Sequence, residues 1–483
     1  MLLGENMFKR IFTFGFAVIV ICSIAWISVS EAQLQPITTT VICSTLQNCA
    51  TENLNLEAAT LRRPTANVLG RAHVGILVMH PNSRYINNAV CAPLAERGFT
   101  VFCTNSEFSG RDLEYYGYEQ HAPGIRSSIN YLKNIAATPE QPAVTKVALL
   151  GFSMGAPLML FYQNVAENGP GVCQGPEKII PCDDTNLHNL PKADGVILRD
   201  AHLGDALATF VNVDPAIHNN ACEPRQPAFD MFAEANGYNL ATDSATYSKQ
   251  FNKTFTVHQA IRNKDILNEA LGLLRKKIKD TRDRSQLGED IPFTVIGSQN
   301  ARLWQPDISL LRYTKRAHTL LARDGTRPVQ IIESVRVPAG ERDAALDCVE
   351  SSIAANVRVW LGAHALRSTP GKYTLTKDDM TGIDYDSSAT SSVTNVKGIK
   401  VPLVIVAHTA HYFIRPDEII YDTAITVDKT IAFNEGAVHG GGPCAPCALQ
   451  IDPTLTPAQA NAYFGNTQDR ESDFFAEWLA ERY

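Results

Sequence analysis

Positive charge is in short supply in this chain. Over 483 residues, 43 lysines and arginines stand against 50 aspartates and glutamates, a formal net charge of −7. No basic stripe with interleaved aromatic residues runs through it, so no nucleic-acid partner is expected. Internal repeats are absent, which excludes a solenoid or propeller. No H-E-x-x-H or related zinc spacing occurs, and His202, His408 and His411 fit none. The triple glycine Gly440, Gly441 and Gly442 has no strand–loop–helix unit with a lysine around it, so it is no phosphate cradle. The single C-x-x-C, Cys444 and Cys447, lacks a second such pair or an H-x-x-H, and reads as a stapled loop rather than a zinc or redox site. No metal and no cofactor is expected.

What is present is ordinary globular material, 45% hydrophobic and 19% charged. The first 32 residues stand apart. Lys9 and Arg10 precede an apolar run over 11–29, and Ser30 and Ala32 supply the small residues of a cleavage site. This predicts a secretory signal peptide over 1–32, with an uncleaved membrane anchor as the rival reading. A secreted or periplasmic protein, with no stable membrane insertion after cleavage, is the expectation. Cysteine usage agrees. Of eleven cysteines, Cys22 leaves with the signal, and the remaining even set suits disulfides in an oxidising compartment. Cys43 with Cys49, Cys173 with Cys182, and Cys444 with Cys447 are close enough to close small loops.

From residue 74 onward, apolar strands alternate with helices. Strands are predicted over 74–79, 99–103, 144–150, 193–198, 401–407 and 430–433, and helices over 89–97 and 124–134. Continuous apolar strands of this kind predict a mostly parallel sheet with helices on both faces. The rhythm breaks over 203–392, which carries a helical stretch at 255–274 and a hairpin over 319–337 turning at Asp324 and Gly325. The division that follows is a core over 33–202, a cap insertion over 203–392 above the strand ends, and a second core part over 393–483. Near the end, Thr456, Pro457 and Gln459 make a capping box, and Phe474, Phe475, Trp478 and Leu479 form one docking side of a helix.

The chemistry centres on Gly151, Phe152, Ser153, Met154 and Gly155. An apolar strand precedes this G-x-S-x-G and a helical run follows it. That context places the serine hydroxyl on a sharp turn above a sheet, as a nucleophile. A serine needs a base, and His439 lies in the loop after the last predicted strand, among small neighbours. The carboxylate that orients the base is ambiguous. His411 occupies the place after strand 401–407 where an acid would be most natural. Asp200, directly after strand 193–198, is the choice, with Asp417, Glu418 and Asp205 as alternatives. Two aimed N–H groups must bind the developing oxyanion. Met154 supplies one; Asn82 supplies the other, because Pro81 has no N–H. His80 closes its strand and is expected to pack beneath that loop.

Together the His80-Pro81 strand end, the stretch from Leu94 through Ala95, Glu96, Arg97 and Gly98 to Phe99, the Ser153 turn and the Gly436 to Gly440 loop around His439 resemble the α/β-hydrolase superfamily, in the manner of secreted esterases and dienelactone-hydrolase-like members. The resemblance spans roughly 70–205 and 398–483 and implies an α/β-hydrolase fold with a large cap. It implies a secreted serine hydrolase acting on a small-molecule carboxylic ester through an acyl-enzyme. Amide, thioester or lactone cleavage would use the same machinery, and a non-catalytic binding protein on the same fold is the rival class.

Overall fold

Ten strands form the central sheet in the computed structural model, which describes residues 34–43, 58–109, 117–281, 291–369 and 371–483. In chain order they are β1 (Ile37–Cys43), β2 (Ala58–Pro64), β3 (Val74–Val78), β4 (Thr100–Thr104), β5 (Lys146–Ser153), β6 (Gly195–Ala201), β7 (Tyr313–Leu321), β8 (Val329–Glu333), β9 (Leu403–His408) and β10 (Lys429–Asn434). The spatial order is β1-β2-β4-β3-β5-β6-β9-β10-β7-β8. Strands from β4 to β7 run parallel, and antiparallel partners sit only at the two ends. Residues of β3, β6 and β9 are buried along their whole length, as a sheet covered on both faces requires.

Helices cover both faces. On one, α1 (Cys91–Glu96) and the C-terminal α8 (Thr467–Ala480) pack Leu94, Phe475, Trp478 and Leu479 against Val78, Val101 and Val404. The other carries α2 (Tyr118–Lys133) and α3 (Gly155–Asn168), with Ile125, Ile129, Leu158 and Phe161 set on Leu77 and Leu149. Three further helices are α4 (Asp205–Asn212), α5 (Lys249–Thr281) and α6 (Ile414–Thr423), and α7 (Ala445–Ile451) follows β10. The capping box at Thr456 and Gln459 forms as read. Among the described residues, no helix is long and apolar enough to cross a membrane. The expected signal segment 1–32 lies outside the described residues, as does Cys49.

The segment 203–392 does not lie wholly outside the sheet. Its hairpin, β7 and β8, joins the main sheet, with Thr319, Leu320 and Leu321 pairing parallel to Ala432, Phe433 and Asn434 of β10. Leu321 and Ile332 are buried there, so apolar burial decides where the hairpin goes. Part of the remainder shares a core with the sheet, while Val213, Leu267, Phe293 and Trp360 pack in a separate cluster. Phe210, Phe255, Trp304 and Tyr373 pack in the same cluster as Leu198, Ile405 and Ile431. Residues Leu34–Tyr483 accordingly form one compact unit.

Among the described residues four cysteine pairs come together: Cys91 with Cys103, Cys173 with Cys182, Cys222 with Cys348, and Cys444 with Cys447. Cys222 and Cys348 are 126 residues apart in sequence, whereas Cys444 and Cys447 are 3 apart. Because a crosslink restricts the unfolded chain more when it closes a longer loop, Cys222→Ser with Cys348→Ser is expected to lose the most stability. The loss is expected at about 4–5 kcal/mol in denaturant titration, against about 2–3 kcal/mol for removal of the Cys173 pair. Equal losses would show that loop length does not govern the effect.

Candidate active site

At the C-terminal end of β5, the backbone turns at Ser153 (φ 56°) into α3, with Met154 as the cap residue. The turn is tight enough to demand glycine on both sides. A Cβ on Gly151 would stand 2.5 Å from Ala156 Cα, and one on Gly155 would stand 2.7 Å from the Met79 carbonyl oxygen. The spacing of the motif therefore reflects direct steric need, and the serine side chain is left half-buried at the strand ends.

The neighbouring strand β6 carries Asp200, also left-handed (φ 41°) and fully buried, one residue before its last residue Ala201, which pairs with Ser153. Two adjacent strand ends thus carry non-glycine residues in a costly backbone region, which points to a site held by its surroundings. His439 comes from the loop after β10. That loop is closed by a bridge between Ala437 and Pro443, by the Val438 N–H on the Gly442 carbonyl and by the Cys444–Cys447 pair at its end. His439 Nε2 lies 2.8 Å from Ser153 Oγ, and His439 Nδ1 lies 2.5 Å from Asp200 Oδ2. The three side chains chosen from the sequence are therefore in one hydrogen-bonded line.

None of the other candidate acids meets His439. Asp417, buried on α6, accepts the Ala201 backbone N–H at 3.0 Å. Burial, with the Asp200 charge beside it, pushes its carboxyl well above the usual range, so it is neutral. Glu418 is committed to β7: it accepts the Lys315 and Arg316 backbone N–H groups at 2.8 and 2.9 Å and pairs with His318 and Arg415. Asp205 opens α4 beside Tyr118, and burial raises it to about 7. Because the folded state holds that proton more tightly than the unfolded chain, stability falls as pH rises from about 4 to about 7. Asp205→Asn removes this dependence. Its unfolding free energy relative to wild type, measured by denaturant titration, is expected to climb between pH 4 and 8, by about 1.4 kcal/mol per pH unit at most. A pH-independent difference would contradict it.

Burial by itself would raise Asp200, but His411, His408 and His439 around it outweigh burial and hold it well below the usual carboxylate range. His408 donates its backbone N–H to Oδ1 at 3.2 Å, and its Nε2 lies 2.5 Å from Glu471 of α8. Glu471 in turn pairs with buried Arg199, whose guanidinium sits over the Phe152 ring. This Arg199–Glu471–His408 support was not visible in the sequence, where Glu471 looks like any polar residue of a docking helix. His411, a histidine where an acid would be most natural, places its Nδ1 2.8 Å from Asp200 Oδ2.

The expected oxyanion donors differ in availability. Met154 N–H has no partner among the described residues. Asn82 N–H is directed at His80 Nδ1, at 3.3 Å, and Ser83 N–H reaches the same nitrogen at 3.0 Å. His80 is buried beneath this loop as read, stacked on Tyr85, and burial lowers it to about 3. Its imidazole is neutral, with Nδ1 as acceptor for the two N–H groups. The Asn82 donor is thus held by a long bond to its own neighbour rather than standing open.

Asp200, His411 and His439 bring three potential metal-ligand atoms within 4.8 Å of one another. Two of the three, Asp200 and His439, are the residues in line with Ser153, so a cation held there would compete with that line. The segment 203–392 meets this site at Arg302, which donates to the Tyr412 hydroxyl at 2.7 Å, next to His411. A separate cavity of about 500 Å³ opens beside the ends of β3 and β4, lined by Met79, Phe102, His121 and Tyr131; none of the described residues of 203–392 lines it.

An eight-strand succession β1-β2-β4-β3-β5-β6-β9-β10, a serine on the sharp turn after the fifth strand and a histidine after the last make this an α/β-hydrolase fold. No family model matches the chain, and no curated protein matches its sequence. Among solved structures it is similar to a truncated carbohydrate esterase from gut microbiota, at 12% identity over 93% of this chain and 99% of that one, with a TM-score of 0.35. It is also similar to a monoacylglycerol lipase from Paleococcus ferrophilus, at 11% identity over 92% and 99%, with a TM-score of 0.34. A third is the α/β hydrolase GrgF from Penicillium sp. sh18, at 12% identity over 84% and 91%, with a TM-score of 0.32.

Proposed function

We propose that this protein is an exported serine hydrolase that cleaves a carboxylic ester of a small molecule through an acyl-enzyme. The observation that carries the reading is the unbroken line from Ser153 Oγ through the His439 ring to Asp200 Oδ2. In the proposed reaction His439 Nε2 takes the Ser153 proton as Oγ attacks the ester carbonyl. Asp200, ionised and buried, fixes the ring with its Nδ1–H toward the carboxylate and stabilises the imidazolium. The Met154 N–H binds the carbonyl oxygen as it gains charge. Asn82 joins it by exchanging its long bond to His80 for a stronger one to an anion. His439 then gives its proton to the departing alcohol, and water repeats the sequence on the acyl-enzyme. Export is supported by the leader-like residues 1–32 and by the four cysteine pairs.

A fluorophosphonate probe, followed by peptide mapping, tests the nucleophile: modification is expected at Ser153 alone. A chain-length series of p-nitrophenyl esters tests the substrate class. Labelling elsewhere, or no turnover of any ester by labelled-competent protein, would refute the ester reading.

A further inference from the structure

One oxygen of Asp200 faces two imidazoles. His439 Nδ1 lies 2.5 Å from Oδ2 and is aligned as a hydrogen bond. His411 Nδ1 lies 2.8 Å from the same atom, in contact but without that alignment. A nitrogen lone pair this close to an ionised carboxylate oxygen is repelled, which favours the Nδ1–H tautomer of His411, its N–H reaching Oδ2 off-axis. The two rings also stack, with centroids 4.3 Å apart and planes 25° from parallel. Phe152 approaches the His439 ring at 4.8 Å, and Phe413 meets it edge-on at 5.6 Å. Of the two histidines, His439 is the more open, its side chain 36% exposed against 12% for His411.

Resting on the proposed Ser153–His439–Asp200 machinery, we infer that His411 is a positioning residue that sets the basicity of His439 by sharing Asp200 Oδ2 with it and by holding one face of its ring. An N–H donor on a carboxylate oxygen lowers what that oxygen offers to a second donor. His439⁺ depends on Oδ2 more than neutral His439 does, so a competing donor favours the neutral, working base. The competitor must itself stay neutral, and burial, despite the pull of Asp200, keeps His411 down to about 4.

The other charged and titratable groups near the ring are committed elsewhere. After β3, His80 is held to about 3 by burial; after β6, His202 is held to about 3 by burial and the Arg302 charge. At the end of β9, His408 bridges Glu471 and Asp200. Arg199 on β6 is paired to Glu471 on α8, and Asp417 on α6 is neutral. Arg302, from the segment 203–392, is tied to Tyr412 and Gln305.

The test is the pH profile of kcat/KM on one p-nitrophenyl ester. His411→Phe keeps the ring stack and removes the donor; His411→Asn keeps an N–H close to where Nδ1 stood. In the Phe variant the acid limb is expected to move up by about one pH unit, a loss of up to about tenfold below the limb. In the Asn variant it is expected to return toward wild type. An unmoved limb in both, with kcat lowered at every pH, would reduce His411 to packing and overturn the inference. An equal rise in both would overturn it too, since the N–H would not be the cause. Should the Phe variant fail to fold by near-ultraviolet circular dichroism, His411→Leu takes its place with the same expected direction. Probe labelling of Ser153 in the wild type, measured first, separates this test from that of the machinery: labelled Ser153 with an unmoved limb removes only the role of His411.

Discussion

Ser153→Ala is expected to reduce ester turnover by at least about 10³-fold, and by up to about 10⁶-fold if binding and the oxyanion donors alone remain. The side chain is half-buried on a turn, and among the described residues the side chain that meets its hydroxyl is His439. Alanine meets the same left-handed backbone that serine already tolerates, so the variant is expected to fold with stability within about 1 kcal/mol of wild type. Probe labelling should vanish with activity. Turnover near wild type in a folded Ser153→Ala protein would remove Ser153 as the nucleophile. A loss of both activity and fold would instead show that the turn, not the hydroxyl, was disturbed, and Ser153→Cys would then separate the two through thiol alkylation at the same position.

The serine could be found in the sequence because its neighbours have no freedom. Gly151 and Gly155 face backbone atoms at distances no side chain can share, and those constraints fall within five consecutive residues. His439 was legible for a different reason. It follows the last apolar strand, and β5, β6, β9 and β10 keep their chain order across the sheet, although β4 precedes β3 and the β7–β8 hairpin lies beyond β10. The parallel sheet itself could be read from strands that are apolar on both faces, such as Leu403 to Ala407.

Where sequence reading stopped, the missing information was long-range. Whether the hairpin of β7 and β8 caps the site or extends the sheet depends on Leu320 finding Phe433, more than a hundred residues away. The pairing of Cys222 with Cys348 is of the same kind. Glu471 is the plainest case. In sequence it is one acid of an amphipathic helix; in the fold it is buried between Arg199 and His408 and holds a histidine that touches Asp200. No local pattern distinguishes such a residue from a solvated one. His411 stood out locally only because a histidine occupied a place suited to an acid. The structure accounts for that exchange: Asp200 from β6 already fills the position beside His439, and a second carboxylate in place of His411 would have put two buried negative charges in contact.

The acid is the point at which four residues compete, and each predicts a different kinetic pattern. Asp200→Asn is expected to lower kcat by about 10⁴-fold while the protein stays folded. An amide at this position can turn its N–H toward His439 Nδ1, which forces the proton onto Nε2 and leaves Ser153 facing a donor instead of a base. The three surrounding histidines would also lose their shared anion, so the pH profile of the residual activity should change along with its size. Asp417→Asn replaces a carboxyl that burial and Asp200 already keep neutral, and is expected to change kcat by less than about tenfold. Glu418→Gln breaks a buried anchor for Lys315, Arg316, His318 and Arg415, so it should lower the melting temperature while the folded fraction retains turnover. Asp205→Asn should affect stability with pH and leave the chemistry in place. A 10³-fold or larger loss of kcat in folded Asp417→Asn or Glu418→Gln, beside near-normal Asp200→Asn, would move the acid to α6. It would also mean that His439 swings away from the hydrogen bond it makes to Asp200 before it can act.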